Sequence, residues 1–377
     1  MTSATHPRTA GIVAAFPRRA HASEHEVASL DAQASRVAAL LGRRYVPDYR
    51  PSRQRGGPTP YYVPDRSLVG MARAAILGIT GEADLYGGVA PHAFVATKSI
   101  SHGLVGPQAR RPAGWAATLA DALRGVVLEG YTAFCPEDAL AAGQRLLERG
   151  PIRVKPVDAT AGRGQVVARD LDALRAALAE QSPRVMERLG LVLEEDLEEV
   201  DTYSVGWAKV GEIEIAYVGT QSLTDDNQGR PVYGGSELRV ARGSFDALRA
   251  LDLGDDERRA IDLACRYDAA IWAAYPELIA SRRNYDVAIG RTADGAARAG
   301  VLEQSWRAGG ASLAELAAMQ AFALSPALME VRAETRERYG AGEPLPIAQR
   351  LVFHGVDSAI GQISKSGGIV ETEDGGA

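Results

Sequence analysis

Two extended runs in the last third of the chain restrict its fold and chemistry more than any other feature. They are Asn284-Tyr285-Asp286-Val287 and Leu302-Glu303-Gln304-Ser305-Trp306-Arg307, with a turn at Ala293-Asp294-Gly295 between them. If the turn closes a hairpin, Asp286 and Glu303 approach on one face of a sheet. Side chains alternate along a strand, so Glu303, Ser305 and Arg307 then share that face. Two carboxylates and a hydroxyl suit Mg²⁺ (or Mn²⁺), which takes oxygen ligands and uses few carboxylates beside substrate phosphates. Arg307 would offset charge on a transferring phosphoryl group. The plainer alternative is a cross-strand ion pair of Arg283 or Arg307 with Glu303.

A second constellation lies upstream. Ile152-Arg153-Val154-Lys155 and Gln165-Val166-Val167 read as strands around a loop of small residues, 158–164, that includes Gly162 and Gly164. A lysine beside such a loop can contact polyphosphate, and small residues let the loop N–H groups come close to it. A β-hairpin whose turn merely contains glycines is the alternative, since neither GxxxxGK[ST] nor GxGxxG occurs. Leu193-Glu194-Glu195-Asp196-Leu197 is a strand end that turns acidic. Extended backbone, an apolar face and a carboxylate there can receive an adenosine. A solvated acidic loop is the competing reading, and the better one for Glu198 and Glu199. Only four of the 42 basic residues are lysine, namely Lys98, Lys155, Lys209 and Lys365. A lysine in such a chain is a less casual choice, because arginine does not replace its compact ammonium everywhere.

Elsewhere the pattern alternates strand and helix, as in an α/β layer with a partly parallel sheet. A strand at 11–16 precedes a helix that a capping box, Ser23 with Glu26, opens and that runs to about Leu41. Loop composition covers 50–60, and a helix is predicted over 67–77. Further helices are expected from Pro136 to Gly150, from Asp170 to Glu180 and over 255–274, and residues 203–242 read as antiparallel strands. Ser312 and Glu315 form a second capping box, leading into helices to about Tyr339, and the acidic, glycine-rich residues 371–377 read as a disordered tail. Gly234-Gly235-Ser236 is either a substrate-binding backbone or a turn or bulge.

A net charge of -6 removes any broad electrostatic case for nucleic acid or an anionic membrane. Cys135 and Cys265 match no paired spacing and the six histidines are scattered, which excludes a disulfide scaffold and a Cys/His metal centre. No apolar run approaches the length of a spanning helix, and the chain reads as cytoplasmic.

Taken together, these residues resemble the ATP-grasp superfamily over about 95–325. Val154-Lys155-Pro156 with Gly162 and Gly164 looks like its strand lysine and lid loop, and Lys98 falls where an upstream nucleotide lysine is common. Glu194, Glu195 and Leu197 are similar to the adenine hinge, with Asp201 at the ribose position in place of a clear glutamate. Asp286, Glu303 and Ser305 look like the metal strands, with Arg307 as the basic catalytic residue; Ser305 stands where asparagine is usual. The wider pattern also resembles an uncharacterised bacterial family of ATP-grasp-like proteins.

The resemblance implies an α/β (α+β) class: an ATP-grasp fold behind an N-terminal Rossmann-like pre-ATP-grasp domain. Expected boundaries are 1–125 for that domain, 126–205 for the small lid subdomain, 206–325 for the large subdomain with the metal strands, and 326–377 for a C-terminal helix and tail. It also implies ATP and Mg²⁺ (or Mn²⁺) as cofactors and an ATP-dependent carboxylate ligase working through an acyl phosphate. A small-molecule carboxylate and a nucleophile would be the substrates, with no nucleic acid or membrane partner and a homodimer left open. A nucleotide-binding regulatory module without turnover, or a phosphotransferase on the same fold, are the alternatives, because fold does not fix reaction.

Overall fold

Short apolar runs near the start assemble a parallel sheet. In the computed structural model, which describes residues 11–51, 59–158, 164–340, 342 and 350–370, β1 (Ile12–Ala14) lies between β2 (Arg44–Val46) and β3 (Tyr61–Tyr62), parallel to both. The connection from β1 to β2 is α1 (Glu24–Leu40). Its capping glutamate acts as predicted: Glu26 Oε2 accepts the Ser23 N–H at 3.1 Å, satisfying a donor the first turn leaves open. The helix predicted over 67–77 starts late. Leu68–Val69 form β4 instead, pairing with β5 (Gly88–Ala90), and α2 covers only Met71–Ile76. A 3-10 turn at Lys98–Ser101 and α3 (Leu119–Ala122) lead onward.

The next unit is a small sheet with helices. It comprises β6 (Gly130–Ala133), α4 (Pro136–Leu147), β7 (Ile152–Pro156), β8 (Val166–Ala168), α5 (Leu171–Ala179), α6 (Pro183–Leu189) and β9 (Leu191–Glu195). The strands run in the order β6-β9-β7-β8 with every pairing antiparallel. Proline at the first turn of α4 costs no hydrogen bond, and Asp170 caps α5 by accepting the Ala173 N–H at 2.8 Å.

An eight-stranded antiparallel sheet forms the largest unit. Its elements are β10 (Glu198–Val210), β11 (Ile213–Asp225), β12 (Pro231–Arg242), α7 (Phe245–Arg249), α8 (Asp255–Ala274), β13 (Ile279–Ala280), β14 (Arg282–Arg291), β15 (Ala297–Ser305), α9 (Ser312–Leu324), β16 (Glu330–Tyr339), β17 (Leu351–Asp357) and β18 (Gly361–Ile369). The strand order is β15-β14-β10-β11-β12-β16-β18-β17, while β13 pairs with β5. Alternation divides the two faces. Val205, Trp207, Ala216 and Val218 pack with α8, whereas Ala208, Val210, Ile215 and Tyr217 pack with α9. Gly234-Gly235-Ser236 lies within β12 beside a bulge in its pairing with β11, and a Cβ on Gly235 would sit 2.2 Å from the Thr335 carbonyl oxygen. These glycines therefore serve close strand approach.

The C-terminal region corrects the sequence reading. Residues 330–339 were expected to be helical and 326–377 to hold a C-terminal helix, but β16, β18 and β17 occupy the region. Pro326 follows the end of α9, and Glu-Val-Arg-Ala-Glu-Thr-Arg-Glu-Arg-Tyr, rich in helix formers, is drawn into strand form by the open edge of β12. The tail at 371–377 lies outside the described residues. The hairpin of β17 and β18 also returns to the N-terminal unit. Asp357 Oδ2 accepts from His25 N at 2.9 Å and pairs with His25 Nδ1 at 2.7 Å. Buried Arg36, on α1, donates to Leu313 O at 2.6 Å and to Gly367 O at 2.8 Å.

Candidate active site

The hairpin inferred from 284–287 and 302–307 is present, as β14 and β15. Asp286 is the direct cross-strand partner of Glu303, and Asn284 of Ser305. A bulge follows at once: Val287 pairs with Val301, leaving Leu302 as the extra residue. Neutral donors reach Asp286 Oδ1 from Ser204 Oγ on β10 at 3.2 Å, Gln221 Nε2 on β11 at 2.8 Å and Asn284 Nδ2 on its own strand at 3.0 Å. Oδ2 takes no hydrogen bond among the described residues. Burial first, and Glu303 second, push the Asp286 carboxyl up to about 6. Two adjacent carboxylates with lone pairs to spare fit a hard divalent cation that also binds phosphate oxygens. Among the described residues no group of three or more His, Cys, Asp or Glu could hold a metal ion, so such an ion would rest on this pair and on oxygens from a ligand or water. Ser305 lines a cavity beside Glu303, but its Oγ faces Arg282 Nη1 at 3.4 Å, which spends part of its acceptor capacity.

Both anticipated lysines converge on β15. Lys98 Nζ lies 2.5 Å from Glu303 Oε2. Burial pushes the Glu303 carboxyl up, but Lys98 and then Lys155 outweigh it and hold it below its usual value. Lys155, 2% exposed on β7, donates to Glu194 Oε1 at 2.8 Å and to Leu302 O at 3.4 Å. His102 Nε2 contacts the other Glu194 oxygen at 3.1 Å. Glu194 would be raised by burial alone; Lys155 and His102 bring it to about 2. This glutamate therefore turns inward to orient Lys155. Gln304, on the opposite side of β15, donates to Thr97 O at 2.6 Å and accepts from Tyr267 OH at 2.9 Å, which fixes the segment carrying Lys98.

Behind the carboxylate pair is a group the sequence reading assigned to capping. Ala311, not Ser312, is the N-cap of α9, and Glu315 is fully buried. Its Oε1 accepts Arg282 Nη2 at 2.7 Å and Tyr217 OH at 2.7 Å, and Oε2 accepts Tyr86 OH. Arg282 in turn donates Nη1 to Arg307 O at 2.6 Å and Ser305 O at 3.2 Å, pinning the backbone that presents Ser305 and Arg307. A lone carboxylate among the apolar residues of 312–324 was the signal for Glu315. Ser204 and Gln221 had no such signal, because only the register of β10 and β11 brings them to Asp286.

A cavity of 690 Å³ opens onto this hairpin. Lys98, Glu303, Gln304, Ser305 and Arg307 line one side, and residues 17–20, 66–69 and 73 of the N-terminal unit line another. Asp286, Lys155, Glu194, Glu195, Leu197 and Asp201 fall outside that lining. Glu195 accepts the Glu129 N–H at 3.0 Å and faces Arg298, and Leu197 packs with Leu128, Ala288 and Leu302 in one apolar cluster. Asp201 is exposed on β10, one step from a bulge. Gly164 takes φ +72°, whereas Gly162 lies outside the described residues. Neither Arg283 nor Arg307 pairs with Glu303. Arg283 lies between the rings of Trp207 and Trp272 and pairs with Asp268.

This arrangement of a parallel N-terminal sheet, a small sheet bearing a buried lysine and a large antiparallel sheet with paired carboxylates is the ATP-grasp fold. It is similar over nearly its whole length to three solved ATP-grasp structures. Biotin carboxylase from Campylobacter jejuni, as a β-γ-ATP complex, is 11% identical, with 96% of this chain and 87% of that one covered and a TM-score of 0.50. N5-carboxyaminoimidazole synthetase from Staphylococcus aureus, complexed with ADP, is 10% identical with 97% and 94% covered at 0.50. Phosphoribosylamine–glycine ligase from Thermotoga maritima is 14% identical with 96% and 93% covered, also at 0.50. The chain belongs to the family described as "Protein of unknown function (DUF3182)", which matches residues 13–367. No curated protein sequence matches it. Among the described residues no helix is long and apolar enough to cross a membrane.

Proposed function

We propose that this protein binds ATP with Mg²⁺ and acts as an ATP-dependent carboxylate ligase. The observation that carries the reading is the convergence of Lys98 and Lys155 on the strand that presents Glu303 opposite Asp286. Lys98 and Lys155 would hold the phosphates, after Lys98 exchanges Glu303 for a phosphate oxygen. Asp286 Oδ2 and Glu303 would hold Mg²⁺, which supplies charge neutralisation on the phosphates when bound. Half-buried Leu302, packed against Leu197, offers an apolar surface near the strand end 194–197, where adenine would lie. Arg307 pairs with no carboxylate among the described residues, so its charge is available to a γ-phosphoryl group moving onto a substrate carboxylate. That transfer releases ADP and leaves an acyl phosphate, and an attacking nucleophile then displaces inorganic phosphate. Most of the catalytic work in such a scheme is positioning and charge stabilisation, and the chain needs no covalent nucleophile.

Calorimetric titration with ATP, with and without Mg²⁺, tests the nucleotide site. Micromolar binding that requires Mg²⁺ and falls at least tenfold in Glu303→Gln is the expected result. Folded protein that does not bind ATP would overturn the reading. ADP release that requires both a carboxylate and an amine then separates the ligase from a non-catalytic module, and a phosphorylated end product would identify a phosphotransferase.

A further inference from the structure

The cavity carries more positive charge than the nucleotide reading above gives a role. The chain as a whole is acidic, with 42 Lys and Arg against 48 Asp and Glu. Yet the lining of this one cavity holds seven Lys and Arg against two acidic residues, Asp158 and Glu303. Several of these charges are already matched. Lys98 is paired with Glu303, Arg18 with Asp31, Arg19 with Glu26 and Asp65, and Arg66 with Asp65. Arg73, Arg188 and Arg307 form no ion pair among the described residues. Arg307 belongs to the phosphoryl-transfer end. Arg73 and Arg188 are not among the residues assigned above to ATP or Mg²⁺, and they reach the cavity from separate units, α2 and α6.

Unpaired guanidiniums that line one cavity from distant parts of an acidic chain favour an anion there. Guanidinium also matches carboxylate and phosphate oxygens bidentately. We propose that the substrate of this site is a dianion: a small molecule with an anionic group, phosphate ester or second carboxylate, besides the carboxylate that reacts. Arg73 and Arg188 bind that distal group, and Arg307 faces the reacting end. The cavity's 690 Å³ is within the range of small-molecule sites. The inference rests on the ligase reading for the identity of the reacting group; the anion site itself rests on the charges.

Equilibrium titration without nucleotide tests it, using glycerol 3-phosphate, citrate and acetate as probes on the full chain. Wild type is expected to bind glycerol 3-phosphate or citrate at millimolar concentration or better, and acetate at least tenfold more weakly. Whichever of the first two wins identifies the distal group. Both Arg73→Ala and Arg188→Ala remove exposed side chains, so the fold is retained, and the double substitution should weaken dianion binding at least tenfold. Arg249→Ala, which removes one charge on α7 outside the cavity, should bind as wild type does. Equal dianion affinity in wild type and the double variant, or no dianion binding by wild type, would overturn the proposal. A wild type that binds the dianion through Arg73 and Arg188 but fails to bind Mg-ATP would instead refute the ligase reading alone.

Discussion

Replacing Glu315 with alanine tests whether the buried network behind the carboxylate pair sets both stability and site geometry. Arg282 is 1% exposed and Glu315 fully buried, and their charges meet through Nη2 at 2.7 Å and Nε at 3.1 and 3.2 Å. Losing the carboxylate leaves a guanidinium in the interior with no anion, a change that costs about 3–5 kcal/mol. It also removes an acceptor from Tyr86 and from Tyr217, although Tyr217 keeps Asn284 Oδ1 at 2.8 Å. These losses share one group and overlap, so the total stays near that range. At about 2 °C per kcal/mol for a unit of this size, the expected fall in Tm is about 6–10 °C. Arg282→Met combined with Glu315→Leu removes both charges and should recover most of that loss in thermal unfolding followed by circular dichroism. The same double variant frees the carbonyls of Ser305 and Arg307, so Mg-ATP affinity should stay depressed after stability returns. Glu315→Ala within about 1 kcal/mol of wild type, or a double variant as unstable as the single, would refute the argument.

Three other outcomes follow from the geometry. Lys155→Ala should weaken ATP binding at least tenfold in calorimetry, and should also leave Glu194 buried with only His102 as partner, lowering Tm. Glu194 is held to about 2 against an ordinary 4.5, so its contribution, on the order of 3 kcal/mol, is present above pH 4.5 and is lost as pH falls towards 2. Acid unfolding of Glu194→Gln should therefore show a shallower loss of stability across that window, and an unchanged profile would contradict the assignment. Asp357→Ala removes an acceptor used by His25, Ala359 and Ile360, and amide exchange in 351–369 should accelerate at least tenfold, corresponding to about 1.4 kcal/mol or more.

The features visible in the sequence were those carried by local pattern. Alternation in 302–307 grouped Glu303, Ser305 and Arg307, a rule that needs no knowledge of neighbouring strands, and all three line the cavity together with Gln304. The parallel start, the buried lysine strand and the helix over 255–274 were legible for the same reason. What the sequence concealed depended on partners distant in the chain. Glu194 read as part of an adenine hinge, and its inward pairing with His102 and Lys155 depends on partners 92 and 39 positions away. Glu315 sat three residues after a serine and imitated a cap, although its partner is Arg282. Residues 330–339 carry charges at helical density, and only the free edge of β12 makes them a strand.

The stitching of α1 to the last hairpin has a consequence for how the protein is made. Arg36 needs Gly367, and His25 needs Asp357, so a helix that emerges early from the ribosome finds its partners only after more than 300 further residues have been translated. Until then its apolar face, including Leu30, Ala34 and Val37, has β1 and β2 but lacks the α9 side of the cluster it finally completes. The small sheet at 130–195 draws all its strands from one contiguous stretch and can close while synthesis continues. Folding of this chain is thus expected to begin in its middle, and the two ends to be completed together.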